Sequence, residues 1–401
     1  MQTSISPLLL KNPDLAEAND ILRTCVHCGF CTATCPTYQL LGSELDGPRG
    51  RIYLIKEMLE KEKASNKTRL HLDRCLTCRS CETTCPSGVR YGRLIDIGRE
   101  IIEQYAPRSL ASGLVRKAML AVLPYPKRMK IVLALARLFS PLLPQLLRNK
   151  IPTKQTAASA PNTHHARRMF VLEGCIQPLT APNTNAAAAR VLGRLGISLV
   201  SVPGAGCCGA LNQHLADAEG ARTMMRRNID AWWPQVEQGA EAIVITASGC
   251  GVMVKDYGNA LRNDDDYAAK AAHISAHTRD LSEILRNEDL SIFAGMGKGK
   301  QVACQTSCTL QHGQKLGGVV EGILKACGYL LTPVADSHLC CGAAGAYTLL
   351  QPELSQQLLH NKLTALQQGE PQVIVTSNIG CQMHLASASK IPVRHWIELL
   401  E

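Results

Sequence analysis

A cysteine spacing that occurs twice constrains this chain more than any other feature. Cys25, Cys28, Cys31 and Cys35-Pro36 form C-x2-C-x2-C-x3-C-P, and Cys75, Cys78, Cys81 and Cys85-Pro86 repeat it without deviation. Met1 to Asp20 carries acids and Pro13 and lacks a long apolar core, so no secretory leader is expected, and the thiols are read as reduced and cytosolic rather than as disulfides. A zinc ribbon built from two C-x2-C knuckles also uses four thiolates, but it leaves four of these eight unexplained. The third and fourth cysteines of each run and the following proline favour iron–sulfur.

Both runs resemble the bacterial ferredoxin pattern. In that pattern three closely spaced thiolates wrap the corner of one cube, while the fourth, leaving on a helix, reaches a second cube. The resemblance implies two 4Fe-4S clusters, one on Cys25, Cys28, Cys31 and Cys85, the other on Cys75, Cys78, Cys81 and Cys35. Clusters ligated in this way have no open iron, so this part is expected to relay single electrons.

The remainder is organised by a repeat. Cys175 precedes Cys207-Cys208-Gly209 by thirty-two positions, and Cys308 precedes Cys340-Cys341-Gly342 by the same interval. Each half then reaches a third element ending in Gly249-Cys250 or Gly380-Cys381. Short runs rich in Val, Ile and Leu alternate with helical patterns: Met169 to Leu172, Ile197 to Val202 and Ile243 to Thr246, then Gln301 to Ala303, Leu330 to Val334 and Val373 to Thr376. That order predicts a parallel α/β unit made twice, with cysteines at the carboxyl ends of neighbouring strands.

Between the cysteine-rich regions lies a basic connector. Gln104 to Leu172 holds twelve Lys or Arg and no Asp or Glu, whereas the rest of the chain is slightly acidic. A one-sign block argues for a local docking surface or a solvated basic face rather than a nucleic-acid domain. Apolar residues from Leu110 to Leu147 recur near helical spacing, broken by Pro124, Pro126, Pro141 and Pro144, and Thr153 to His165 reads as a linker. Ile131 to Leu143, interrupted by Arg137 and Pro141, falls short of the roughly 20 apolar residues a bilayer span needs.

Two ferredoxin-type runs followed by two Cys-x31-Cys-Cys-Gly units resemble the CCG, or cysteine-rich domain, family over nearly the whole chain. Among its branches the chain resembles the glycolate oxidase iron–sulfur subunits, on stretches such as Cys25-Val26-His27-Cys28-Gly29-Phe30-Cys31, Gly47-Pro48-Arg49-Gly50-Arg51-Ile52 and Pro203-Gly204-Ala205-Gly206-Cys207-Cys208-Gly209-Ala210. The implied fold class is α/β: an N-terminal, mainly α-helical two-cluster ferredoxin-like domain (1–105), a basic helical connector and linker (106–168), and two parallel α/β CCG repeats (169–290 and 291–401).

The resemblance also implies ligands at Cys175, Cys207, Cys208 and Cys250 in the first repeat and Cys308, Cys340, Cys341 and Cys381 in the second, holding a further cluster or zinc. The family pattern ends in C-x2-C, but here Met253 and His384 stand where the last cysteine belongs. That departure weakens a heterodisulfide reductase-like chemistry within the repeats. Met253 is read as packing and His384 as a structural histidine or a ligand, while Cys304 and Cys327 fall outside the pattern and are read as buried small residues. Arg49 and Arg51 are either contacts near the clusters or a solvated surface.

No G-x-G-x-x-G fingerprint follows an early strand, so no dinucleotide or FAD fold is expected here. The resemblance implies a hetero-oligomeric complex in which a separate FAD-containing subunit oxidises glycolate to glyoxylate and this chain passes electrons towards a quinone. D-lactate, L-lactate and glycerol-3-phosphate are the alternative substrates. The implied location is cytoplasmic, peripheral on the inner face of the inner membrane, with no nucleic-acid partner.

Overall fold

The computed structural model describes residues 1–142, 155–159 and 164–401. They form two compact units. One comprises Met1–Arg116, Asn212–Ala218 and His338–Lys362; the other comprises Lys117–Leu211, Glu219–Ser337 and Leu363–Glu401.

The first unit is helical, and its helices start where sequence signals place them. Asn12 caps the helix Pro13–Thr24 by accepting from the Asp14 amide, with Pro13 in the first turn, where its missing N–H costs nothing. Cys35 likewise precedes Pro36, which opens the helix Pro36–Leu41. Cys85-Pro86 leads instead through a turn at Gly88, and the next helix, Tyr91–Tyr105, begins five residues later. That helix turns Leu94, Ile95, Ile101 and Ile102 towards Leu22, Ile55, Met58 and Leu72 in a core that also includes Cys25, Cys75 and Cys81. Each such aliphatic side chain contributes about 1.5–3 kcal/mol on burial, so the cysteine loops are anchored to the best-packed part of the unit. Asp73 ties down the end of the unit, accepting two bonds from Arg108 (2.6 and 2.9 Å) and one from Arg116 (3.2 Å).

The second unit contains two four-stranded parallel sheets. Strands β1 (Arg167–Val171), β2 (Ile197–Ser201), β3 (Ile243–Ile245) and β4 (Thr278–Asp280) lie in the order β2-β1-β3-β4. Strands β5 (Gln301–Gln305), β6 (Leu330–Leu331), β7 (Val373–Thr376) and β8 (Val393–His395) repeat that order as β6-β5-β7-β8. Six of the eight were expected. β4 and β8 were not, because Thr-Arg-Asp and Val-Arg-His have no apolar run and become strands only by pairing with β3 and β7. The expected strand over Leu330 to Val334 is cut to two residues, since Pro333 cannot donate to a ladder. Both repeats feed one apolar cluster that includes Val191, Val244, Leu285, Val302, Leu324 and Trp396.

The connector forms the helices Leu110–Val122 and Pro126–Leu138, separated at Pro124 as its prolines require. A short turn, Ser140–Leu142, includes Pro141; Pro144 and most of the polar stretch 153–165 lie outside the described residues. Among the described residues no helix is long and apolar enough to cross a membrane.

Candidate redox centres

The two ferredoxin-type loops have the same backbone. In the first, His27 (φ 57°) and Gly29 (φ 86°) are left-handed; in the second, the residues at the same two places, Thr77 (φ 53°) and Arg79 (φ 59°), are left-handed too. A side chain in that conformation costs roughly 1–2 kcal/mol. Recurrence at matched positions indicates a purpose: inverting the chain between cysteines turns successive N–H groups inward, forming a concavity that favours an anionic group. The Thr77 amide points at Cys75 Sγ, 3.4 Å away.

A pocket of about 420 Å³, counting the space open to solvent, is lined by Cys25, Cys28, Cys31 and Cys85, and Cys81 and Arg49 also border it. Cys28 is exposed and Cys25 buried, so the pocket has a mouth and a floor. Burial and the proximity of Cys25 and Cys85 push the Cys31 thiol up to about 11, although backbone amides work against the shift. The structure thus brings Cys85, with Cys81 at the wall, to three cysteines of the first run, and of these two it is Cys85 that acts on Cys31.

Cys35 in turn stands with Cys75, Cys78 and Cys81. Burial first, and then the crowding of Cys78, Cys75 and Cys35, push the Cys81 thiol well above its ordinary range; Cys78 behaves likewise, with Cys340 among its neighbours. Four thiolates cannot share such a space without cations between them, which is the condition an iron–sulfur cube meets. Hydroxyls also face these sulfurs: Tyr91 donates to Cys75 Sγ (3.7 Å), and Thr37 Oγ1 lies 3.4 Å from Cys35 Sγ.

Arg49 and Arg51 have different fates. Arg49 stays near the surface, paired with Glu44 at 2.7 Å. Arg51 is fully buried, with Nη1 4.0 Å from Cys35 Sγ and Nη2 3.5 Å from Asp46 Oδ1. Burial opposes its charge, but Tyr91, Cys75, Cys35 and Asp46 outweigh burial and keep it protonated. Asp46 is held further by His71 Nδ1 (2.9 Å) and Arg74 Nη1 (3.1 Å). Tyr347 belongs to the same unit, donating to the Arg74 carbonyl at 3.0 Å.

In the first repeat, Cys175 follows β1, Cys207-Cys208 follow β2, and Cys250 lies in the first turn of the helix Ser248–Lys255 after β3. The parallel register of β2, β1 and β3 brings these ends side by side. The four thiols form one hydrogen-bonded set. Cys207 accepts from Cys175 and Cys208, which holds its thiol far below the usual range despite burial; Cys175 and Cys208, as its donors, are pushed up.

Two residues that sequence reasoning missed support this set. Asn228 donates to the Cys207 carbonyl (3.0 Å) and to Tyr257 Oη (3.0 Å), and Tyr257 donates to the Cys208 carbonyl (2.9 Å). Both are fully buried. Asn228 in the middle of the helix Ala218–Glu237 looks like a surface residue in sequence, and Tyr257, which opens the short helix Tyr257–Ala260, carries no local signal; only tertiary burial distinguishes these two. Gly209 is left-handed (φ +89°) and lies against the helix Ala218–Glu237, so a Cβ there would come within 3.1 Å of the Ala221 carbonyl. Met253 is buried, in accord with a packing role.

In the second repeat, Cys308 follows β5, and Cys381 lies on the helix Ile379–Ala386, where Asn378 Nδ2 is 3.5 Å from its sulfur. Cys340 and Cys341 belong to the other compact unit. Gly342 (φ +88°) repeats the role of Gly209: a Cβ there would meet the Ser355 carbonyl at 2.7 Å. His384, Cys304 and Cys327 are buried, Cys304 within β5 and the apolar core.

Comparison with known proteins agrees with this architecture. Residues 21–89 match a family model described as a 4Fe-4S dicluster domain, and residues 169–255 and 302–386 each match the cysteine-rich domain model. The chain is 54% identical over 402 residues to the glycolate oxidase iron-sulfur subunit of Escherichia coli (strain K12), covering 100% of this chain and 98% of that protein. It is 29% identical over 397 residues to a protein of Bacillus subtilis (strain 168) described as "Probable glycolate oxidase iron-sulfur subunit", covering 91% of this chain and 88% of the relative. Similarity to lactate utilization protein A of Bacillus velezensis is 27% over 235 residues, 56% of this chain and 95% of that protein. Cysteine pattern, paired parallel sheets and full-length similarity agree, and the chain belongs to the glycolate oxidase iron–sulfur subunit family.

Proposed function

We propose that this chain is the electron relay of a glycolate-oxidising complex, with one 4Fe-4S cluster on Cys25, Cys28, Cys31 and Cys85 and a second on Cys35, Cys75, Cys78 and Cys81. The observation that supports the reading is the neighbourhood of the fourth cysteines: Cys85 lies beside Cys31 and Cys25, and Cys35 lies beside Cys81, Cys78 and Cys75. Bound clusters supply one-electron carriage, whereas glycolate gives up two electrons and two protons on becoming glyoxylate. The pair is therefore taken by an FAD-containing partner, and this chain accepts the electrons singly and passes them towards a quinone.

The chain's own residues divide the work. Exposed Cys28, with exposed Val26 and Phe30 beside it, gives the first group a face that a partner can approach. Cys75 and Cys81 hold the second group in the helical core. Cys175, Cys207, Cys208 and Cys250 are proposed to hold a further cluster or zinc, and the repeat pattern extends the same assignment to Cys308, Cys340, Cys341 and Cys381.

Peripheral membrane attachment is part of the proposal. On the helix Pro126–Leu138, Ile131, Leu135 and Leu138 are exposed together with Lys127, Arg128 and Lys130, a combination suited to an anionic lipid surface. Lactate as substrate has weaker support, because those relatives match only 56% of the chain.

Anaerobic iron, sulfide and zinc analysis with EPR after stepwise reduction tests the reading. About eight irons mean clusters on the two ferredoxin-type groups alone, and twelve or more extend the relay into the repeats. Iron-free protein refutes it.

A further inference from the structure

Arg51 lies on the buried face of the helix Pro48–Lys61 and is 1% exposed. Two hydrogen bonds fix the plane of its guanidinium, from Nε to the His71 carbonyl (2.7 Å) and from Nη2 to Thr37 Oγ1 (3.1 Å). Nη1 is thereby directed at Cys35 Sγ, 4.0 Å away. The carboxylate nearest to this cation, Asp46, is also engaged by Arg74, so two guanidinium groups face one carboxylate and positive charge is in surplus.

Adding an electron to a centre in this interior places one more negative charge where water cannot solvate it. Burial alone makes such a site hard to reduce. A cation a few ångströms from a ligand sulfur offsets the added charge most strongly in a water-poor interior, and an arginine stays charged throughout the physiological range. Arg49 borders the pocket of the first group, but its pairing with Glu44 at 2.7 Å and its partial exposure neutralise and screen its charge, so it acts there more weakly.

We propose that Arg51 tunes the second centre by stabilising its reduced form, so that a buried site can accept an electron. The inference rests on the cluster assignment proposed above for Cys35, Cys75, Cys78 and Cys81. Arg51 is a positioning residue for charge, since it reaches the centre through a ligand sulfur and hydrogen bonds rather than by ligation.

The test is reductive titration of the anaerobically purified, full-length holoprotein, with the EPR signals of the two centres followed separately. Arg51→Gln retains a polar side chain without charge and should lower the reduction equilibrium constant of the second centre tenfold or more, about 59 mV for a one-electron step, leaving the first centre unmoved. Asp46→Asn removes the opposing carboxylate charge with little change of shape and should move the same centre the other way. Arg51→Lys should lie nearer to wild type than Arg51→Gln. A loosened fold does not produce opposite shifts in one centre. If Arg51→Gln fails to retain iron, Asp46→Asn decides alone: a raised potential supports the inference, and an unchanged or lowered one overturns it. Equal shifts of both centres in Arg51→Gln, or no shift, also overturn it. Wild-type protein with about eight irons or more, and with separate signals from the two ferredoxin-type centres, keeps the cluster assignment whatever the variants do. Wild-type protein without them overturns the assignment and the inference together.

Discussion

Asp280 and His395 hold the same place in the two repeats. Each ends the outer strand of its sheet, caps the helical turn that follows, and forms a capping box with a glutamate three residues on, Glu283 or Glu398. Each also receives or makes a bond across the pair of repeats: Gln314 Nε2 donates to Asp280 Oδ2 (3.3 Å), and His395 Nε2 donates to the Thr246 carbonyl (2.9 Å). The repeat therefore extends past the cysteines into a fourth element, through which each copy is fastened to the other. Ser248 N bonded to the Ser377 carbonyl (2.9 Å) and Ser248 Oγ beside Thr309 Oγ1 (2.7 Å) complete the junction.

His395 should make stability depend on pH. Its Nε2–H is committed to Thr246, its Nδ1 accepts from the Ile397 amide, and burial lowers its pKa to about 4. The folded state then refuses a proton that the unfolded state accepts below about 6.5. Unfolding free energy should fall by about 2–3 kcal/mol as pH drops from 7 to 4. Asn also caps helices but does not titrate, so His395→Asn should flatten that slope. Thermal or denaturant unfolding of both proteins across this range checks it. Comparing the two cancels Asp280, whose raised pKa acts with the opposite sign.

The glycines after the paired cysteines should differ in sensitivity. Gly209→Ala introduces a strained left-handed alanine and should cost about 1–2 kcal/mol. Gly342→Ala adds a 2.7 Å clash with the Ser355 carbonyl and a 2.9 Å clash with Leu358 Cβ, and should cost about 2–5 kcal/mol in all. Melting temperatures of the two variants give the order; a milder effect at Gly342 would contradict the geometry.

Tyr257→Phe should loosen the first cysteine set without touching a thiol. It leaves the buried Cys208 carbonyl without its 2.9 Å donor and removes one of the bonds that Asn228 donates, a loss of about 1–3 kcal/mol. Metal bound at the first repeat should fall relative to that in the ferredoxin-type part, as read by elemental analysis of the variant beside a Cys250→Ser control.

Attachment to anionic vesicles should weaken as salt rises through 0.15 M towards 1 M, where the screening length falls from about 8 to 3 Å. Replacing Lys127 and Lys130 by Glu should weaken it further at low salt. Flotation with vesicles of mixed anionic and neutral lipid is the measurement, and salt-independent binding would count against the basic connector as the anchor.

Cys28→Ser should remove iron from the first group and interrupt electron flow while a partner's flavin is still reduced by substrate. Loss of flavin reduction as well would mean that this chain helps to build the substrate site.

Some of this was fixed by residues close together in sequence. Cysteines two and three residues apart, a proline after the fourth, and two copies of Cys-x31-Cys-Cys-Gly define local loops and a repeated unit without reference to distant contacts. Apolar runs such as Ile243 to Thr246 likewise mark strands, because a buried parallel strand is apolar on both faces. Tertiary structure decided what depends on neighbours brought from afar. Arg51 and Arg49 are alike in sequence, yet one is fully buried and the other is half-exposed and paired with Glu44, and that difference gives Arg51 the greater leverage on a ligand sulfur. β4 and β8 exist because β3 and β7 offer them a ladder. Asn228 and Tyr257 gain their roles from helices that bury them against Cys207 and Cys208, since a hydrogen bond matters most where water cannot replace it.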